Sequence, residues 1–327
     1  MRSKLLITLM LVTVIGAFRA QAQQEYMITQ YMYNGLALNP AYAGIHDGVS
    51  VGALWREQWT AIDGAPNTQL LSIHSPLNYR YASLGAVLYR DVLGVKTEYT
   101  GYFSYSYRIR VGENSELSMG LQMNLHNFSN DISRLENQRG LLQNTNISDP
   151  LYQEFVDDNL GFKWNFGAGL MLHSDRYYVG VSVPQLLNKK YFENLPDDVE
   201  SSRLVRHLFV SAGYVLNTDS DVVLKPNVLF KAVQNAPIEF DINLNALLSK
   251  VLWLGVSLRS ELSQATEKKA GPLESISGLI ALQINPQMQL GYAYDFTTTA
   301  INTNSHEIML NYIFNLPTNK ILTPRYF

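Results

Sequence analysis

The most constraining feature of the sequence is a two-residue alternation of apolar and polar side chains that recurs along most of its length. It is clearest over residues 99–109, 116–126 and 238–248, and weaker stretches bring the number of predicted strands to about fourteen. Successive side chains of a strand point to opposite faces of a sheet, so each segment has one apolar and one polar face. The pattern predicts an all-β fold.

Segment length favours a transmembrane antiparallel β-barrel over a soluble sandwich. Strands of soluble sheets average about 5–6 residues, whereas a tilted membrane strand needs about 9–11, and most segments here belong to the longer class. Tight connections such as 111–114 and 285–287 alternate with longer ones such as 129–159 and 185–202. Short periplasmic turns and long external loops alternate in this way in outer-membrane barrels. We therefore predict a closed barrel of about fourteen strands in the cell outer membrane.

The alternation also assigns side chains to the two faces of the barrel. Leucines, methionines, Trp253 and many of the 20 tyrosines are predicted to face lipid or the two membrane boundaries. Mixed charges on the other face favour salt-bridged packing across a narrow lumen over a selective ion path. The side chains predicted to face the lumen are Glu98, Arg108, Glu116, His126, Lys163, Lys225, Lys231, Glu239, Asp241, Arg259 and Asp295.

The N-terminal part divides into a secretory signal and a lead-in segment. Residues 1–22 begin with Arg2 and Lys4, continue with an apolar core and end in a small-x-small triplet, which is typical of a cleaved signal peptide. Residues 23–48 lack a clean alternation, and Pro40 blocks a ladder hydrogen bond there. We expect this lead-in either to tuck into the periplasmic mouth as a plug or to form a loose arm. The barrel would then cover 49–315, and a periplasmic tail 316–327.

Composition and motifs argue against several functional classes. The chain has no cysteine, so neither a disulfide framework nor a thiolate metal site is available. A net charge of -3 without a basic run argues against nucleic-acid binding. His306 and Glu307 are adjacent, so on a strand they point to opposite faces and cannot act on one substrate atom. No HExxH, nucleotide-binding or hydrolase motif occurs. We expect no enzymatic activity and no metal or cofactor.

Short motifs around a predicted hairpin and at the far end of the chain occur in a recognisable order. They comprise Asn39, Pro40, Ala41, Tyr42 and Gly44 before the hairpin, Arg56, Gln58 and Trp59 in its first arm, Asp63, Gly64 and Pro66 in its turn, His306 and Glu307 near the last strand, and the terminal Pro324, Arg325, Tyr326 and Phe327. In this order and spacing the chain resembles the PorP/SprF family of outer-membrane proteins of the type IX secretion system. Turn geometry with boundary aromatics is one interpretation of the hairpin residues. The resemblance makes the whole set candidate partner contacts.

The resemblance implies a role in protein secretion. It implies a non-enzymatic component that supports export or surface anchoring of sorting-domain cargo proteins, including gliding adhesins. Its implied periplasmic partners are ring-forming lipoproteins and a peptidoglycan-linked adaptor. A lumen of this width, lined with mixed charges, cannot pass a folded protein, which favours docking or anchoring over translocation.

Two other functions stay open from the sequence. One is a transporter of small apolar molecules, similar to fatty-acid transport barrels, which also carry an Asn-Pro-Ala stretch in an N-terminal hatch. The other is a passive porin. A transporter pocket should be mostly apolar, whereas the predicted lumen face is charged. For the C-terminal tail, an assembly signal and a periplasmic tether both stay open.

Overall fold

The computed structural model describes residues 27–46, 48–77, 81–130, 162–190, 203–216, 221–233, 236–262, 273–298 and 303–314. Within them, fourteen antiparallel strands close into a barrel, with β1 paired to β16 at the seam. In chain order the strands are β1 (Val49–Glu57), β2 (Asn67–Pro76), β3 (Ala82–Leu93), β4 (Lys96–Arg110), β5 (Ser115–Asn130), β6 (Phe162–Ser174), β7 (Tyr177–Val183), β8 (Lys189–Lys190), β9 (Arg203–Leu204), β10 (His207–Tyr214), β11 (Val222–Val233), β12 (Ile238–Leu248), β13 (Leu252–Leu262), β14 (Leu273–Asn285), β15 (Met288–Thr297) and β16 (Asn304–Phe314). Strands β8 and β9 form a separate two-stranded sheet.

The predicted fold class is confirmed. Barrel strands run from 7 residues in β7 to 16 in β5, and most reach the length that a tilted membrane strand needs. Pairing is antiparallel throughout, and ring closure satisfies the backbone groups that an open sheet would leave unpaired within lipid. Among the described residues, no helix is long and apolar enough to cross a membrane.

An even number of strands places the start of β1 and the end of β16 at one end of the barrel, which we call the turn end. The opposite end, which we call the loop end, carries the long connections across 131–161 and 263–272. The predicted sorting of short turns and long loops holds with two exceptions at the loop end, the four-residue connection 234–237 between β11 and β12 and the turn between β3 and β4. Strands β3 and β4 are joined at the loop end by Gly94 and Val95 alone, and the positive φ of Gly94 (59°) permits so tight a turn.

The polar face lines the lumen as predicted. All eleven predicted lumen-facing side chains lie on the inner wall, and the most enclosed of them include Lys225, Asp241 and Asp295. The outer wall carries exposed Leu, Ile, Val and aromatic side chains, as expected of a lipid-facing surface.

The prediction that Trp253 faces lipid is wrong. It is only 6% exposed, and its ring lies edge-on to that of Tyr33 with centroids 6.2 Å apart. Its neighbours Leu252 and Leu254 are the more exposed residues of that stretch. Trp253 therefore shares the inward face of β13 with Arg259, in the phase that the alternation gives this strand, and there it packs against an aromatic side chain of the N-terminal segment.

Residues 27–46, which we call the plug segment, lie inside the barrel. The segment contains three short 3-10 turns, at Tyr31–Tyr33, Gly35–Ala37 and Pro40–Tyr42. Thr29 contacts Arg56, the penultimate residue of β1 at the loop end, whereas Gly44 contacts His74 near the turn end of β2. The segment thus runs the length of the lumen, further than the tuck into one mouth that the sequence suggested.

Val256 tests the membrane face directly. It lies mid-strand in β13 with its side chain 56% exposed, so Val256→Arg should lower the free energy of unfolding by about 2–4 kcal/mol in bilayers. Leu262→Arg, at the loop-end limit of the same strand, is the control and should cost about 0–1 kcal/mol. Urea titration of the vesicle-inserted protein measures both. Equal costs at the two positions would contradict the assignment of this wall to lipid.

Candidate functional site

The sequence-selected residues fall in three regions of the molecule. Those preceding the hairpin, from Asn39 to Gly44, lie in the plug segment. Arg56 and Glu307 meet on the inner wall, although 251 positions separate them in sequence. Trp59, Asp63, Gly64 and Pro66 belong to the connection between β1 and β2, which we call the rim loop. The terminal residues Pro324, Arg325, Tyr326 and Phe327 lie outside the described part of the chain.

Arg56 is the centre of a buried ionic cluster. Its Nη2 lies 2.7 Å from Oδ2 of Asp295 and its Nη1 3.0 Å from Oε2 of Glu307. All three side chains are at most 2% exposed. Desolvating three charges is costly, and only close pairing and additional hydrogen bonds compensate for it.

The plug segment supplies those additional hydrogen bonds. The backbone N–H groups of Thr29 and Gln30 donate to the two carboxylate oxygens of Glu307, at 2.9 and 2.7 Å. Thr29 Oγ1 accepts a hydrogen bond from Arg56 Nη1 at 2.9 Å and donates one to Asp295 Oδ2 at 2.8 Å. The cluster therefore binds the loop-end part of the plug segment to the wall.

Barrel closure brings the cluster together. Arg56 and Glu307 are direct partners in the ladder between β1 and β16, and β15 places Asp295 next to them by pairing with β16. The same contacts hold the seam of the barrel and the plug segment. Asn243 extends this attachment on the other wall by donating to the Tyr31 hydroxyl at 3.1 Å.

Asn39, Pro40 and Ala41 form the second attachment point. Asn39 caps the 3-10 turn at Pro40–Tyr42 because its Oδ1 accepts from the N–H of Ala41 at 2.9 Å. Its Nδ2 donates to the carbonyl oxygens of Leu170 and Val181, at 3.1 and 3.4 Å. One side chain thereby shapes the plug segment and binds it to two wall strands.

Glycines in the wall make room for this turn. A Cβ at Gly120 of β5 would lie 2.2 Å from the Ala41 nitrogen, and one at Gly169 of β6 would lie 2.1 Å from Oδ1 of Asn39. Any larger residue would collide with the plug backbone or its capping side chain. The close approach explains why the inward alternation is interrupted by glycine here.

Gly44 forms the attachment at the turn end. Its φ of 74° lies in the left-handed region that favours glycine. Its N–H donates to Nδ1 of His74 at 3.1 Å, and its carbonyl oxygen accepts from Arg108 Nη2. The Tyr42 ring packs edge-on against the rings of His46 and His74, which fills the lumen at this end.

The rim loop is tied to both of its neighbours at the loop end. Gly94 N–H, in the turn after β3, donates to the Gly64 carbonyl at 2.8 Å, and Thr60 N–H donates to the carbonyl of Asn304 in β16 at 3.0 Å. Within the loop, Gln58 N–H donates to the Pro66 carbonyl at 2.9 Å. Trp59 has a φ of 50°, which is uncommon for a bulky residue and is typical of backbone held by its surroundings. Asp63 and Gly64 are exposed at the tip, so the loop presents a defined surface.

His306 and Glu307 point to opposite faces, as predicted. Glu307 belongs to the inner cluster, whereas Nδ1 of His306 lies 2.7 Å from the Tyr292 hydroxyl on the outer wall. The two residues therefore share no reaction centre. Among the described residues, no group of three His, Asp or Glu side chains is arranged to hold a metal ion.

Sequence reasoning missed part of the cluster. Asp295 was predicted to face the lumen, but nothing marked it as a partner of Arg56, and Thr29 and Gln30 were not selected at all. The alternation of β15 and β16 shows which of their residues face inward. If the register of β16 with β1 and with β15 had also been known, it would have placed the two carboxylates beside Arg56. The position of Thr29 depends on the path of the plug segment, which the alternation does not encode.

Comparisons with known proteins place these features in a wider context. A sequence model described as type IX secretion system membrane protein PorP/SprF matches residues 20–312, and no curated protein matches the chain. The CymD monoaromatic hydrocarbon channel is similar in structure at 12% identity and a TM-score of 0.50, over 89% of this chain and 93% of that one. Omp33 of Acinetobacter baumannii matches at 9% identity and 0.47, over 83% and 100% of the two chains. The likenesses to these two solved structures concern the barrel fold alone.

Arg56→Met should release the loop-end part of the plug segment. It would leave two buried carboxylates without their counter-charge, at a cost of about 3–5 kcal/mol. The chain has no cysteine, so a single Ile28→Cys, buried in the native protein, reports release through maleimide labelling. We expect labelling to accelerate at least about tenfold. Lys231→Met is the control, because it breaks an ion pair between two wall strands, from Lys231 of β11 to Glu239 of β12 at 3.3 Å. Unchanged labelling in Arg56→Met would contradict the role of the cluster.

Gly120→Ala should destabilise the plugged barrel. The added Cβ would overlap the Ala41 backbone, and overpacking of this kind costs about 1–3 kcal/mol. Gly278→Ala is the matched control, since a Cβ there meets nothing within 4 Å. The urea midpoint of each folded protein, read from its heat-modifiable mobility on gels, measures the difference. Equal midpoints for the two variants would show that the wall does not need glycine at position 120.

Proposed function

The chain belongs to the PorP/SprF family of type IX secretion system membrane proteins, and from that premise we propose that it is a docking or anchoring component of the outer membrane. In this proposal it supports the export or surface attachment of sorting-domain cargo proteins, including gliding adhesins, and catalyses no reaction. Its loop end faces outward, and its turn end meets the periplasmic ring lipoproteins and the peptidoglycan-linked adaptor.

The observation that carries this proposal is the filled lumen. The plug segment is held to the wall near both ends, by the Arg56 cluster and by Gly44, and Asn39 holds it between them. A plugged barrel of fourteen strands has no room for a protein chain in transit. Function is then carried by the surfaces at the two ends of the barrel.

The loop end offers a suitable docking surface. The rim loop is bound to the turn after β3 and, through the N–H of Thr60, to the Asn304 carbonyl at 3.0 Å. On the far side of the lumen, Asn165 exchanges two hydrogen bonds with the backbone of Leu187, which holds the start of the connection after β7. A rigid surface loses little conformational entropy when a partner binds. We propose Trp59, Asp63, Gly64 and Pro66 as partner contacts on this surface.

The transporter and porin alternatives receive less support from the same lumen. The described inner wall carries charged and amide side chains such as Lys225, Asp241 and Asn243, and its apolar side chains form one packed cluster with the plug segment, whereas a pocket for apolar molecules should be mostly apolar and open to a ligand. The likeness to a hydrocarbon channel concerns the fold alone and gives no support for a hydrocarbon substrate in this chain.

Deletion of the gene tests the proposal. We expect at least one sorting-domain cargo protein to be lost from the cell surface, measured by protease accessibility on intact cells, and to return when the wild-type gene is restored. The amount of an unrelated outer-membrane barrel serves as the control for a general envelope defect. Normal surface display of every cargo protein would overturn the proposal.

Planar-bilayer conductance separates docking from transport. The wild-type barrel should conduct little, and the Arg56→Met variant should conduct more because its plug segment is released. A large steady conductance from the wild-type protein would favour the porin alternative.

A further inference from the structure

The outer wall carries a polar band on one side of the barrel. Near the loop end, the outward positions of β11, β12, β14 and β15 are Phe230, Phe240, Ile276 and Phe296, as expected beside lipid. On β16, β1, β2, β3 and β4 the corresponding positions are polar. We call this set the polar band, and it consists of His306, Glu57, Asn67, Gln69, Arg90 and Tyr99.

Strand register makes the band continuous. Glu57 pairs with His306 on one side and with Asn67 on the other, while Gln69 pairs with Arg90, and Arg90 with Tyr99. Neighbouring inward residues such as Arg56, Thr68 and Tyr89 are buried in the lumen, so the band itself points away from the barrel. Five adjacent strands therefore share a polar outer surface.

The band shortens the apolar belt on this side. Polar side chains facing hydrocarbon are unfavourable, and a wall whose apolar height differs from its surroundings distorts the bilayer. Both costs disappear when the band faces another polar surface at the same height.

We propose that this wall binds a second copy of the same chain through a two-fold axis that runs along the membrane normal beside β2. Glu57 lies one strand to one side of β2, and Arg90 lies one strand to the other side. A two-fold rotation about β2 therefore turns the Glu57 side of each copy toward the Arg90 side of the other, with Gln69 near the axis. The ladder partners of Glu57 and Arg90 on β2 are Asn67 and Gln69, two positions apart. The wall is complementary to itself in charge.

The apolar surface below the band fits the same arrangement. Leu71 and Ile73 project from β2, exposed by 49% and 47%. Ala53 of β1 is the ladder partner of Leu71, and Ala86 of β3 is the partner of Ile73. Each of these two ridge residues therefore has an alanine on one side and a larger residue, Leu88 or Val51, on the other. The alanines leave space on opposite sides of the ridge, as small residues do at other interfaces within membranes.

The chemistry of the band favours a protein surface over lipid headgroups. Anionic headgroups call for a cluster of basic side chains, whereas the band carries one acid and one base at equal distances from β2. The amides of Asn67 and Gln69 both donate and accept hydrogen bonds, which suits pairing with identical groups.

Cysteine cross-linking tests the interface. Because the chain has no cysteine, Gln69→Cys alone should form a disulfide-linked dimer in native membranes under mild oxidation. Ile276→Cys is the matched control, since it is exposed on the outer wall near the loop end. In the Gln69→Cys background, Glu57→Arg or Arg90→Glu should each lower the cross-linked fraction by roughly tenfold, because either change replaces two symmetry-related ion pairs by repulsion. The double reversal should restore it.

The outcomes distinguish a self-interface from random collision and from binding of a different protein. Cross-linking at position 69 no stronger than at position 276, adducts of Gln69→Cys with a different protein only, or a double reversal that fails to restore the dimer would each overturn the proposal. Heat-modifiable mobility confirms that each variant is folded. The proposal goes beyond the secretion role and is independent of it. Normal cargo display in a variant that has lost the dimer, or an intact dimer in a variant that has lost cargo display, would distinguish the self-interface from the secretion role.

Discussion

Burying the charge of Arg56 inside the barrel requires close counter-charges, and Arg56 has two of them on strands from the other end of the sequence. Asp295 and Glu307 reach it because β1 pairs with β16. Thr29 and Gln30 complete the coordination of the carboxylates. One set of contacts thus couples the closing of the wall to the position of the plug segment, and the arrangement of the lumen follows from it.

In the proposed role, the filled lumen leaves the outer surfaces of the barrel to carry the function. Barrels that conduct keep a continuous polar path, whereas here a 20-residue segment occupies that path and is bound by side chains near both ends. The rigid rim loop, the turns at the opposite end and the polar band on the wall are the surfaces that remain for partners. This distribution suits a protein that holds other components in place within a secretion apparatus.

Much of the fold could be predicted from the sequence, because residues 99–109 and similar stretches alternate with a period that only strands satisfy. The inward position of Asp241 and Arg259 follows from the same alternation. Trp253 was assigned to lipid on its aromatic character, although it has the same alternation phase as Arg259 on β13, because nothing in the alternation shows that an internal segment will cover an inward aromatic side chain. The contacts of Arg56 with Asp295 and Thr29 could not be predicted from the sequence either. They depend on closure of the ring and on the path of the plug segment, which has no periodicity. The contacts that the named motif residues make with partners stay a prediction.

The plug segment has a consequence for biogenesis. The backbone N–H groups of Thr29 and Gln30 donate to Glu307, and Glu307 reaches Arg56 because the edge strands β1 and β16 pair with each other. Enclosing the segment and sealing the cylinder are therefore energetically coupled, because each supplies ligands to the same buried carboxylate. A cylinder that closed without its contents would leave Glu307 short of two hydrogen-bond donors.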